Sequence, residues 1–301
     1  MPTPNLPFFD YHSHHDRCGH AVGGMAGYID AARALGMAEF GVSDHGPCYW
    51  RPGDHAQPGT QMANSELASY VAEARALQSD YARSITVKVG IEADFIEGRE
   101  EELARLLDAH PFDYALGSVH YAAGASIFKR DRWQSQRAED VFADYYRQVA
   151  LAAGSGLFDV LSHLTAVEAY APPIPEALAD ALYRPAADAV AAAGCVVEVN
   201  TSGYRKMGGD EPFPNRRMLR LLIERGVPLT FGSDCHKPEE VGFARDRVAA
   251  ILAELGLAGR QPEPVTVRRG SLLGPCGEVG FGGGGATVSR CGRRAGNRGG
   301  R

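Results

Sequence analysis

The run Phe8-Phe9-Asp10-Tyr11-His12-Ser13-His14 begins as a short apolar strand and ends as a pair of imidazoles. Residues two apart on an extended strand point to the same side, so His12 and His14 leave the strand's carboxyl end together. Further apolar or alternating runs follow at Glu39–Ser43, Thr86–Glu92, Tyr114–His120, Phe158–His163, Cys195–Asn200, Pro228–Ser233 and Pro264–Arg268. Helical periodicity fills the gaps between them. Leu67, Val71, Ala74, Leu77 and Tyr81 make one apolar stripe over Ser65–Ala82, and Asn215–Arg225 is introduced by Pro214 and closed by Gly226. Pro185 is expected to kink or split the helix between Pro175 and Gly194.

About eight strands alternating with helices over ~250 residues fit a (β/α) barrel better than an open doubly wound sheet. No glycine-rich phosphate loop follows any of the strands. In such a barrel the chemistry gathers at the carboxyl ends of the strands, and the histidines obey that rule. Seven of the ten sit at or just past a strand end: His12, His14, His20, His45, His120, His163 and His236. Asp10, Asp44, Glu92 and Asp234 accompany them. A lone histidine is more often a satisfied core or surface residue than a ligand, but random placement would scatter seven over helices and both barrel faces. His15, His55 and His110 fall outside the pattern and read as solvated or supporting residues.

Composition agrees with a globular barrel. The chain has 301 residues, 45% apolar and 23% charged, which excludes collagen, coiled coil and wholesale disorder. No segment approaches the ~18–20 uninterrupted apolar residues of a membrane span. The start MPTPNLPFF lacks the basic and apolar regions of a signal peptide, so a cytoplasmic protein is expected. Six cysteines without a C-x-x-C pair suggest reduced thiols rather than a disulfide framework.

The overall charge of −6 is unevenly divided. Arg268–Arg301 holds seven arginines, one acid (Glu278) and 12 of the 36 glycines, leaving 24 bases against 36 acids in residues 1–267. A body at −12 is a poor nucleic-acid binder by long-range attraction, although the Gly/Arg segment is of a kind that can touch RNA. The expected organisation is a barrel over residues 1–270 and a disordered tail over 271–301, too poor in large apolar residues to repay ordering.

Mixed imidazole and carboxylate donors suit zinc, iron or manganese rather than calcium or magnesium. Seven imidazoles and at least two carboxylates exceed one ion's four to six positions, so two or three divalent transition metals are expected. Glu92 can bridge two ions through its two oxygens, which one imidazole cannot do. Asp234 and His236, again two apart, can face inward together while Cys235 points away.

Asp10-x-His12-x-His14, His20, Asp44-His45, Glu92, His120, Ser162-His163 and Asp234-x-His236 together resemble the polymerase-and-histidinol-phosphatase (PHP) family of metal-dependent phosphoesterases. The similarity is greatest to its histidinol-phosphatase branch, through Gly117-Ser118-Val119-His120-Tyr121, Asn200-Thr201-Ser202-Gly203-Tyr204-Arg205-Lys206 and Gly232-Ser233-Asp234-Cys235-His236. It spans residues ~8–268. The resemblance implies a distorted (β/α)7 TIM-like barrel, with the run at Pro264–Arg268 as a closing or edge strand. It further implies a trinuclear centre: His12, His14, Glu92 and Asp234 on one ion, Glu92, His120 and His163 on a second, His20, His45 and His236 on a third. Glu92, Asp234 and His236 are the candidate catalytic residues, and the implied activity is hydrolysis of L-histidinol phosphate in histidine biosynthesis.

Phosphate monoesters hydrolyse very slowly in water, and clustered metals supply hydroxide near neutral pH while neutralising phosphoryl oxygens. Direct attack by a metal-bound hydroxide, without a phosphoenzyme, is expected. Arg205 and Lys206 are the candidates to grip the phosphate. Asp94 or Glu168 would face the substrate ammonium, and Phe128–Trp133 would cover the site or stand as a solvated basic loop. Asp10 and Asp44 are expected to fix imidazole tautomers. The partner is a small phosphate monoester, with no membrane or nucleic acid, and the oligomeric state is open. Alternatives are a PHP phosphoesterase acting on nucleotides or other small phosphates, an amidohydrolase, and a non-catalytic PHP module of a DNA polymerase. An amidohydrolase would typically carry a carboxylated lysine where His120 stands, and the polymerase reading conflicts with the acidic body and with the lack of polymerase sequence.

Overall fold

The computed structural model describes residues 9–207, 209–256, 262 and 264–265. Nine strands lie among them: β1 (Phe9–Asp10), β2 (Glu39–Val42), β3 (Thr86–Asp94), β4 (Tyr114–Ser118), β5 (Tyr121–Ala122), β6 (Ala125–Ser126), β7 (Val160–Leu161), β8 (Val196–Asn200) and β9 (Leu229–Gly232). The helices are α1 (Met25–Ala34), α2 (Leu67–Tyr81), α3 (Glu100–Asp108), α4 (Ala138–Ser155), α5 (Glu176–Ala193), α6 (Ser202–Lys206), α7 (Arg216–Glu224) and α8 (Arg245–Glu254). Seven strands run parallel in the order β1-β2-β3-β4-β7-β8-β9, the topology of a TIM-like (β/α) barrel. Past β1 and β9 the two edges meet. Tyr11 N–H donates to the Phe231 carbonyl at 3.3 Å and His14 N–H to the Cys235 carbonyl at 2.9 Å. The sheet is thereby nearly closed, as expected from the alternation of elements. Of the run at Pro264–Arg268 only Pro264 and Val265 are described, outside any strand, and the Gly/Arg segment lies outside the described residues.

The seam also explains Asp10. Its carboxylate accepts the main-chain N–H groups of Ser233 at 2.9 Å, Gly242 at 2.9 Å and His12 at 3.3 Å. The expected role as an imidazole acceptor is therefore corrected: Asp10 staples β1 to the turn after β9.

The barrel interior is filled by side chains. Tyr114 crosses beneath the mouth and donates its hydroxyl to the Tyr11 carbonyl at 2.7 Å, against a floor that only glycine permits. A Cβ at Gly41 or Gly90 would collide with that ring. Among the described residues no helix is long and apolar enough to cross a membrane.

Two local features differ from expectation. α5 runs through Pro185 without splitting. The proline lies on the exposed face, where water can reach the carbonyl it leaves unpaired, while Tyr183, Ala186, Ala187 and Val190 are packed in the core. The second feature is the antiparallel hairpin of β5 and β6, turned by Ala123 at φ 46° and Gly124 at φ 77°. Arg132 holds it from behind, donating to the carbonyls of Ala122, Ala125 and Ser126. Within the expected covering segment, Phe128 and Arg130 thus face the barrel mouth, while Lys129 and Asp131 remain in solvent.

Candidate metal centre

The parallel register brings the strand ends to one level, so the side chains just past them converge. His12 and His14 follow β1, Asp44 and His45 follow β2, Glu92 stands in β3, His120 follows β4, His163 follows β7, and Asp234 and His236 follow β9. Glu92 is the hub. Its Oε2 lies 2.7 Å from His45 Nδ1, 3.5 Å from His12 Nε2 and 3.6 Å from His14 Nε2. Its Oε1 lies 2.9 Å from His163 Nε2 and 3.5 Å from His120 Nε2. Asp234 Oδ1 is 3.1 Å from His14 Nε2 and 3.9 Å from His12 Nε2. His20, on the outer side, meets His236 with 2.9 Å between their Nε2 atoms.

The tautomers show what this arrangement lacks. His236 Nδ1 lies 3.0 Å from the Asp234 carbonyl and His20 Nδ1 3.4 Å from the Cys18 carbonyl. A carbonyl only accepts, so each Nδ1 carries the proton and each Nε2 presents a lone pair to the other. Two lone pairs at that distance repel, and a cation between them resolves the conflict. Deeper in the mouth, His12 Nε2 and His14 Nε2 are buried and without an aligned hydrogen-bond partner. Unpartnered buried donors of this kind are what an ion site requires, and nitrogen with carboxylate oxygen suits a transition metal.

Four groups of donor atoms are close enough to hold ions: His12-His14-Asp234, His12-Glu92-His163, His45-Glu92-His120 and His14-His45-His236. Eight of the nine residues expected as ligands fall in these groups; the ninth, His20, meets His236 but joins none of them, so the implied His20-His45-His236 set is replaced by His14-His45-His236. His45 stands between two groups, sharing Glu92 with His120 as well as facing His14 and His236. A fifth group, His14-Cys18-Asp44, includes a thiol not anticipated as a donor.

The electrostatics are strongly coupled. Burial alone would raise the Glu92 carboxyl, but His45, His12 and His120 hold it well below the usual carboxylate range. Asp234 is likewise held well down against burial, by Lys206 and His12. Burial would lower His12, yet Glu198, Glu92 and Asp234 push it up. Burial and the neighbouring His14 push His236 down to about 2.

Supporting groups surround the candidate ligands. Asp44 Oδ1 lies 3.4 Å from His14 Nδ1 without a hydrogen bond to it; the carboxylate instead accepts the main-chain N–H groups of His45 at 2.9 Å and Cys18 at 3.2 Å, which corrects its expected role of fixing a tautomer. Asp94, expected at the substrate, borders the cavity but is engaged by His120 Nδ1 at 2.8 Å and by Gln61 Nε2. The Ser118 hydroxyl donates to Glu92, and Ser162 meets Ser118. Both serines stand in the motifs quoted from sequence but were given no role there, and Glu198, an acid in the otherwise apolar Val196-Val197-Glu198-Val199, was missed. An ionisable residue at an inward strand position was the available signal.

A cavity of about 530 Å³ opens over the donors, with Tyr121, Phe128, Arg130, Tyr170, Arg205 and Lys206 on its walls. Lys206 Nζ reaches Asp234 Oδ2 at 2.8 Å, and Arg205 Nη2 donates to the carbonyls of Ser233 and Asp234. Glu168 is not at this cavity. It accepts from Tyr146, Tyr183 and Asn215 between α4, α5 and α7, which corrects its expected place beside a substrate ammonium. His15 is buried against Tyr28, His55 binds the Gln61 carbonyl, and His110 packs beside Phe112.

A parallel (β/α) barrel with imidazole and carboxylate clusters able to bind metal at its carboxyl mouth is the class that fold and site define. The PHP domain family matches residues 10–202 and the PHP-associated family matches residues 212–255, and the chain belongs to the PHP family. It is 37% identical over 238 residues to the "probable histidinol-phosphatase" of Deinococcus radiodurans, covering 78% of this chain and 88% of that protein. With the histidinol-phosphatase of Bacillus subtilis it shares 26% over 259 residues, 78% of this chain and 96% of that one. Its fold is similar to a histidinol phosphate phosphatase of Lactococcus lactis, solved with zinc, L-histidinol and phosphate. The TM-score is 0.69 at 20% identity, covering 87% of this chain and 98% of that one.

Proposed function

We propose that this chain is a metal-dependent phosphoric monoester hydrolase that converts L-histidinol phosphate to L-histidinol and phosphate in histidine biosynthesis. The observation that carries the reading is the opposed, unprotonated Nε2 pair of His20 and His236 beside the buried, unpartnered Nε2 atoms of His12 and His14. Donors so arranged call for two or three divalent transition ions, zinc, iron or manganese. When bound, such ions lower the pKa of water and neutralise phosphoryl oxygens, which are the two needs of monoester hydrolysis.

The protein's own residues do the rest. Glu92 and Asp234 hold the imidazoles in a fixed cluster, and with His236 they line the cavity in which the phosphorus would sit. Arg205 and Lys206 present cationic groups on the same wall, matched to the phosphate's charge. Phe128 and Tyr170 stand edge to face with ring centroids 6.4 Å apart, Lys206 over the one ring and Arg130 over the other, and they form the aromatic wall that would meet the substrate imidazole. Asp94, bordering the same cavity, supplies negative charge toward the ammonium. The test is a side-by-side kinetic panel of small phosphate esters on metal-loaded protein. L-Histidinol phosphate is expected to lead it, and a nucleotide or sugar phosphate in first place would redirect the substrate while retaining the hydrolase.

A further inference from the structure

We infer that Glu198 is a positioning residue that ties two of the ion-binding groups together, so that the ions of the His12-His14-Asp234 and His12-Glu92-His163 groups are gained and lost as a pair. This rests on the metal-centre reading above. Glu198 sits inside the barrel on β8, 1% exposed, and each of its oxygens serves a different ligand. Oε1 lies 2.7 Å from His12 Nδ1, while Oε2 accepts the His163 main-chain N–H at 3.0 Å and Asn200 Nδ2–H at 2.8 Å.

The two contacts act differently on the two histidines. A carboxylate facing Nδ1 keeps the proton there and leaves His12 Nε2 free to point at Glu92 and Asp234. At His163 the carboxylate grips the backbone, where φ is 25°, a left-handed conformation that a β-carbon disfavours. That bond holds the strained residue in the pose that sets its Nε2 on Glu92 Oε1. Glu92 is the shared neighbour of both rings, so a shift of either one disturbs the other's ion.

The surrounding packing makes room for this carboxylate. Gly232 on β9 borders Glu198, and a Cβ there would run into Glu198 Oε1 and the His12 Cβ. A buried carboxylate is tolerated only when its oxygens are satisfied, and here three donors satisfy them. Glutamine cannot replace it. Its amide has one accepting oxygen, so its NH2 must face either the His12 Nδ1–H or the His163 N–H.

The decisive experiment is calorimetric titration of chelated protein with Zn²⁺, together with the Tm of the metal-free and Zn²⁺-loaded forms, on wild type and Glu198→Gln. Glu198→Gln is expected to weaken two ions together by ~10- to 100-fold, the usual cost of losing a partner behind a ligand. The Zn²⁺-induced rise in Tm should shrink by the corresponding amount. Glu198→Asp keeps the charge but draws the carboxylate back by one methylene, so that it no longer spans His12 Nδ1 and the His163 N–H; it is expected to weaken the same pair of ions, and it decides the matter if Glu198→Gln does not fold. Wild-type affinity for all ions, loss of one ion alone, or a lowered metal-free Tm with an intact Zn²⁺-induced rise would overturn the inference. A wild-type protein that binds no Zn²⁺ would instead overturn the metal-centre reading itself.

Discussion

His20 and His236 face each other through Nε2 atoms 2.9 Å apart, with each opposite nitrogen committed to a main-chain carbonyl. Neither ring can donate to the other without taking up a proton, and His236 is held down to about 2 by burial and His14. The outer edge of the cluster is thus built for a cation. Elemental analysis is expected to give two or three transition-metal ions per chain, and chelation is expected to abolish phosphatase activity reversibly. One ion or fewer in fully active protein would contradict the multi-ion centre.

Glu92 is the strongest single test of how the ions are linked, because five imidazoles lie within 3.6 Å of its two oxygens. Glu92→Gln keeps the shape but removes the charge and one accepting oxygen. It should lower metal content and reduce kcat at least ~100-fold, the scale of losing one ion's electrostatic stabilisation. A fall in kcat with the full metal complement retained would move Glu92 from ligand to proton transfer.

Stripped of ions, the protein should lose stability on acidification. His14, His20, His163 and His236 have folded pKa values lowered mainly by burial, so their contribution is present above the usual histidine value of ~6.5 and is lost as pH falls through it. Glu92 and Asp234, also lowered, contribute above the ordinary carboxylate range and lose that contribution in acid. His12 and His45 are raised and act in the opposite sense, their contribution fading as pH rises through their folded values. With His15, down to about 4, and His110, also lowered by burial, six lowered imidazoles stand against two raised ones. Scanning calorimetry in chelator should therefore show Tm falling by at least about 5 °C between pH ~7.5 and ~5. A flat or rising Tm would contradict the balance.

Where the seven parallel strands fall and which histidines gather at their ends was legible because period-two apolar runs with histidines at their carboxyl ends are local patterns, and barrel geometry converts them into one mouth. What a carboxylate touches is not local. Asp10 and Glu168 both stand close in sequence to candidate ligands, yet one closes the barrel seam and the other joins three helices. Glu198 reaches His12 across 186 positions, a relation that only the closed barrel creates. The hairpin at Tyr121–Ser126 escaped notice because Ala123-Gly124 lacks the asparagine or aspartate that usually signals such a turn. Pro185 does not split α5 because it sits on the face that meets solvent, which the sequence alone did not assign.

The substrate can be tested by separating what reads phosphate from what reads the rest of the molecule. L-Histidinol phosphate should exceed generic sugar or nucleotide monophosphates in kcat/KM by at least ~100-fold, which requires only ~3 kcal/mol of differential transition-state binding. Arg205 borders the cavity beside Asp234, and Arg205→Ala should reduce kcat/KM for every phosphate ester by a similar ~10- to 100-fold, since it would read the shared group. Phe128→Ala and Tyr170→Ala should leave simple aryl phosphates nearly unaffected in kcat but cut the preference for L-histidinol phosphate by about 3- to 10-fold through lost ring contacts. Asp94→Asn should also erode the preference, and its link to His120 means that metal content must be measured alongside. If Arg205→Ala changed the ranking of substrates while the aromatic variants lowered all rates equally, the assignment of the two walls would be reversed.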